Sequence, residues 1–213
     1  MTNKNYIIQI FLEESGPQRA QALEDLRWKV ELAESLGADR LVAPSIASET
    51  HTADDYDEVY ENLYEAAEIA RPHNVALMVE FTRFSKLIST VRTSLNVVRA
   101  VDHPNLKFML DVYHFWAAQS KFEDLDLINP GEIHHVHFED TPAEPPLEVS
   151  TNANRAFPGE GVAPLQRIID KLTEKGYSRA LSLELFDPVV QNTDPYEIGT
   201  KGIQTITPYI SWI

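Results

Sequence analysis

The chain contains no cysteine, so it can form neither a disulfide framework nor a thiolate metal site. Positive charge is scarce: 18 lysines and arginines stand against 33 aspartates and glutamates, a formal net charge of −15. No basic stripe offsets that field, which repels polyanions and argues against nucleic acid as a partner. Long hydrophobic runs are also missing. Nothing approaches the ~18 uninterrupted apolar residues of a membrane span, so a membrane role is not expected. Residues 1–6 have one lysine before a short strand-like run, with neither the apolar core nor the small-residue cleavage site of a signal peptide. Together these absences lead to the expectation of a cytoplasmic protein with a solvated acidic surface.

What is present is a long rhythm. The 213 residues, 43% of them hydrophobic, suit a single domain. Apolar runs of strand length alternate with helical periodicities, the pattern of βαβ units around a parallel sheet. Strands are predicted over 6–12, 40–44, 75–81, 106–112, 133–138 and 180–186. Helices are predicted over 18–36, from Asp54 or Asp55 to about Pro72, from Ser85 to just before Pro104, over 121–127, over 164–175, and over 195–210. Between 139 and 161 lie four prolines and little periodicity, which predicts a long functional loop.

Four consecutive strands end alike. Apolar runs lead into Glu80, Asp111, His137 and Glu184, at spacings of 31, 26 and 47 residues, each about one β/α unit. In a closed β/α barrel such strand ends converge on one face, where active sites lie. Three carboxylates need a cation, because like charges at close range cannot all stay ionised unaided. An imidazole with three carboxylates suits one divalent ion, with Mn²⁺, Mg²⁺ or Co²⁺ favoured and Zn²⁺ or Fe²⁺ possible. Each position alone has a duller explanation. A strand-end carboxylate often caps the next helix, and a strand histidine is usually a satisfied core residue. His135 and His134 are read as packing residues, and Phe115 and Trp116 as pocket wall or core alike. Glu49 and His51, after the second strand, are weak candidates for the same face.

Five motifs carry a resemblance: VEF at Glu80, LDVYHFW from Leu110, HVHFEDT from His135, RAFPGEG from Arg155, and GYSRALSLELF from Gly176. In order and spacing the chain resembles the xylose-isomerase-like barrel superfamily, nearest to its inosose isomerase group. The resemblance implies an α/β fold of the TIM-barrel type, with Glu80, Asp111, His137 and Glu184 as metal ligands. It implies Glu184 as the base and Glu80 as the acid, and it assigns His114 and Arg155 to the substrate. The substrate expected is a small polyol or ketose. The chemistry implied is proton transfer through a metal-stabilised enediolate.

A barrel of this type has eight strands and about 250 residues, whereas six strands are predicted here. The first of them aligns with the family's third, so the opening two β/α units are expected to be absent, and closure by a homo-oligomer is one expectation. Metal-dependent isomerisation or epimerisation is the leading functional expectation. A lyase of the inosose or 3-dehydroshikimate dehydratase type on the same scaffold is the alternative, and a catalytically inactive metal-binding remnant is another. A phosphodiesterase like endonuclease IV is disfavoured, since it needs more histidine ligands and a basic face.

Overall fold

A computed structural model describes residues 16–47 and 49–210. Among the described residues, five parallel strands form one sheet in the order β1 to β5: Arg40–Pro44, Ala76–Glu80, Leu106–Asp111, Ile133–His137 and Leu181–Ser182. Spatial order equals sequence order, so each connection crosses over to the next strand, as in a winding β/α barrel. The strand expected over 6–12 lies outside the described residues. Among the described residues, no helix is long and apolar enough to cross a membrane.

The helices follow the sequence rhythm. Helix α1 (Gly16–Ser35) buries Leu26, Val30 and Ala33, and α2 (Asp55–Ala70) buries Val59, Leu63, Ala66 and Ala70. Asp54 does not cap α2 with its side chain; instead Asp55 Oδ2 accepts the Thr52 N–H at 2.5 Å. Helix α3 (Val91–Val101) is capped by Thr90 rather than Ser85, with Thr90 Oγ1 accepting the Thr93 N–H at 3.1 Å. A short helix α4 (Val112–Ala117) starts directly after β3, where only a strand end was expected. Helix α5 (Leu165–Glu174) is amphipathic, with Leu165, Ile168, Ile169 and Leu172 buried. Two further helices, α6 (Pro188–Gln191) and α7 (Pro195–Ile206), follow β5.

Strand alternation divides the sheet into two faces. Leu41, Ala43, Leu77, Val79, Phe108, Leu110 and Val136 join the large core shared with the helices. Val42, Met78 and Met109 form a separate small cluster on the other face, where His135 pairs in register with Met109. Two residues further along this inner face come Pro44, Glu80, Asp111 and His137, with Pro44 opposite Glu80 and Asp111 opposite His137. The period of two that buries Met78 and Met109 therefore puts polar groups at the top of the same face.

Candidate metal centre

Each of the four strand-end candidates arrives from a different strand. Glu80 ends β2, Asp111 ends β3, and His137 ends β4. The strand expected over 180–186 pairs only through Leu181 and Ser182, so Glu184 stands two residues beyond β5 on the inner-face alternation. One donor atom from each of the four lies within 4.8 Å of the others. His137 Nδ1 sits 3.1 Å from Glu80 Oε1, 3.2 Å from Glu184 Oε2 and 3.5 Å from Asp111 Oδ2. Donors bound about 2.1 Å from one ion stand roughly 3 to 3.4 Å apart, so the set fits a single divalent cation.

The electrostatics point the same way. Burial lifts the Glu80 carboxyl to about 7, against the opposing pull of His137. Burial alone would lower His137, but its contacts with Asp111, Glu184 and Glu80 raise it well above an ordinary imidazole. Asp111 is fully buried, yet Arg155 and His114 hold its carboxyl well below the usual range. A proton on His137 and the guanidinium of Arg155 are the positive charges that face these carboxylates. The cage is arranged for more positive charge than the chain itself brings.

His114 and Arg155 join the same cluster. His114 lies in α4, its ring edge-on to the exposed Phe84, and burial lowers its pKa to about 4. Arg155 Nη1 donates to Asp111 Oδ2 at 2.8 Å and to Glu184 Oε2 at 2.7 Å, while Nη2 lies 3.1 Å from His114 Nε2. The guanidinium carbon is 5.1 Å from the ring centroids of both Tyr113 and Phe186. Asp111 also has the duller role weighed above. Its Oδ1 caps α4 by accepting the His114 N–H at 2.6 Å, leaving Oδ2 to the cluster.

The remaining candidates fall outside the cluster. His135 is fully buried with its ring edge-on to His137, and His134 is half-buried with Arg179, Arg40 and Lys107 nearby. Phe115 belongs to the core and Trp116 packs against it, which decides for packing over pocket wall. Glu49 is exposed and His51 faces Asp55 at 3.9 Å; neither is among the grouped donors.

Three contributors were not singled out from the sequence. Glu139, fully buried, accepts the Tyr113 N–H on Oε1 at 3.0 Å and lies 3.4 Å from Arg155 Nη1. Burial, with Asp111 nearby, pushes its carboxyl well above the ordinary range. Asp140 gathers the backbone N–H groups of Thr141, Gly159, Gly161 and Ala163, which folds the loop behind Arg155. Arg83 ties that loop down from the far side by donating to the carbonyls of Ser150, at 2.7 Å, and Leu147. The signal for Glu139 was available: 135, 137 and 139 continue one inner-face alternation inside HVHFEDT.

A family model described as the xylose isomerase-like TIM barrel matches residues 9–206. The chain belongs to that family. Within it, the chain is 35% identical over 127 residues to an inosose isomerase of Halalkalibacterium halodurans, covering 59% of this chain and 45% of that protein. It is 28% identical over 194 residues to an inosose isomerase of Bacillus licheniformis, covering 90% of this chain and 69% of that protein. The chain thus spans about half the length of the first of these family members. In structure it is similar to the IolI protein solved with a bound zinc atom, at TM-score 0.85 and 23% identity, over 94% of this chain and 73% of that one. At that identity the likeness concerns the fold.

Proposed function

We propose that this chain carries the metal site of an isomerase or epimerase acting on a small 2-hydroxyketone, such as an inosose or a ketose. The observation that carries this reading is the convergence of Glu80, Asp111, His137 and Glu184, from four successive units, to within 4.8 Å. The oxygen-rich donor set favours Mn²⁺, Mg²⁺ or Co²⁺. Zn²⁺ and Fe²⁺ also fit, and zinc is the ion in the IolI structure. The names of the family members with the matching sequences support the substrate class.

When bound, the ion supplies a Lewis acid for adjacent substrate oxygens. The chain's own groups then divide the proton work. Glu184, the least buried of the four, takes the proton from the carbon beside the carbonyl. Glu80 returns a proton to the former carbonyl carbon while the substrate's hydroxyl proton passes to the neighbouring oxygen, and the roles exchange in reverse. His114 and Arg155 hold substrate hydroxyls, and the buried mouth keeps solvent away from the transferred proton.

Thermal melts with and without Mn²⁺ or Zn²⁺ test the site. An ion at one hundred times its Kd stabilises the folded chain by about 2.7 kcal/mol, and Glu184→Gln should remove most of that gain. No shift with any divalent ion would refute the site. Incubation with an inosose and Mn²⁺ tests the chemistry: an isomeric ketone is expected. A dehydrated product absorbing in the ultraviolet would replace isomerisation with β-elimination.

A further inference from the structure

Two buried polar atoms in the cluster have no partner among the described residues: Glu139 Oε2 and Arg155 Nε. One is an acceptor and the other a donor, and they belong to side chains already 3.4 Å apart through Oε1 and Nη1. Buried groups of this kind are normally satisfied, and an arginine meets a carboxylate best through two parallel bonds. Meanwhile Arg155 Nη1 spends its bonds on Asp111 Oδ2 and Glu184 Oε2. Those are the same two oxygens that face His137 Nδ1.

We infer that Glu139 is a positioning residue that draws Arg155 off the donor oxygens and into a two-pronged ion pair when a metal ion binds. The inference rests on the metal reading above. An ion drawing on Asp111 and Glu184 competes with the guanidinium for their lone pairs, and the two cations repel each other. Glu139 offers the displaced guanidinium a buried acceptor on the same side of the mouth. The Tyr113 and Phe186 rings, each 5.1 Å from the guanidinium carbon, keep it in the site. Turning its Nε–Nη2 edge onto Glu139 releases Nη2 from His114 and Nη1 from the donor oxygens, so that His114 and Nη1 face the substrate. Glu139 itself is anchored through the Tyr113 N–H, at the start of the helix that carries His114.

The test is a double-mutant cycle read by Mn²⁺ titration calorimetry, without any assay of turnover. Glu139→Gln keeps the oxygen that accepts the Tyr113 N–H but puts an amide N–H donor in place of Oε2, which cannot accept from Arg155. It should weaken Mn²⁺ binding about tenfold, and by less than about threefold when Arg155→Gln is already present. Equal fold-changes in both backgrounds would mean a simple loss of negative charge, and the inference would fall. Glu139→Asp, which keeps a carboxyl group, should lie closer to the unmodified chain. A crystal structure with Mn²⁺ gives a second reading: Arg155 paired to both Glu139 oxygens is expected, and Nη1 still bridging Asp111 and Glu184 would overturn it. If the unmodified chain binds no Mn²⁺, the metal reading itself fails; if only the cycle is additive, this inference alone does.

Discussion

At the scale of the residue, Asp140 shows how one side chain can organise a segment that lacks regular structure. Its two oxygens accept four backbone N–H groups, and its own backbone bridges to Ala156 in both directions. Gly161 is drawn so close that a Cβ there would stand 2.2 Å from the Thr141 carbonyl oxygen. Asp140→Ala should therefore cost about 3 kcal/mol in chemical denaturation, since four backbone donors, the Thr141 N–H buried among them, lose one acceptor together. Arg155 lies one residue before the bridge to Ala156, so the same variant should also loosen its aim. Arg155 was legible as a substrate contact through the RAFPGEG motif. The carboxylate that folds it was not, because contacts 19 to 23 residues apart leave no local signature. Glu139 was legible in principle, by extending the alternation of His135 and His137 past the strand end.

At the scale of the element, strands and helices were read well where apolar periodicity was long, as in α2 and α5, and less well at their starts. Ser85 was expected to open α3, yet the helix begins at Val91. Ser85 does behave as a cap, with Oγ accepting the N–H groups of Leu87 and Ile88 at 3.0 and 3.2 Å, but over a turn. Sequence does not distinguish the two, because the hydroxyl satisfies the same donors in either. Thr90 is the true cap, and Thr90→Ala should lower stability by about 1 kcal/mol in urea unfolding, with Ser85→Ala leaving the α3 boundary unmoved. The last strand was expected to run from 180 to 186 but pairs only through Leu181 and Ser182. Its alternation continues through Leu183 and Glu184, so the side-chain pattern was right about facing and silent about ladder length.

At the scale of the whole molecule, the fold and the four convergent donors were both foreshadowed, because a parallel β/α winding turns sequence spacing into proximity at one end. What the sequence could not convey was the balance of charge once the donors meet. With the site free of metal, Glu80 holds a proton up to about pH 7, and His137 is raised well above its ordinary value. An ion must displace both protons. The sign follows directly: raising pH from about 6 to about 8 removes the competitor, so Mn²⁺ affinity should increase across that window. Calorimetry in two buffers of different ionisation heat should show proton release on binding that shrinks toward the alkaline end. An affinity indifferent to pH would contradict the charge balance described here.

The four donors differ in how firmly the rest of the chain depends on them. Glu80, His137 and Glu184 meet the cluster through their side chains; the first two end paired strands and Glu184 follows β5 by two residues. Each could be exchanged for another donor type without disturbing a neighbouring strand, which would shift preference between harder and softer ions. Asp111 has no such liberty, since its other oxygen starts the helix that carries His114. Over evolutionary time, drift in metal preference should enter through His137, because Glu80 and Glu184 also carry the proposed proton transfer, with the aspartate the last to change.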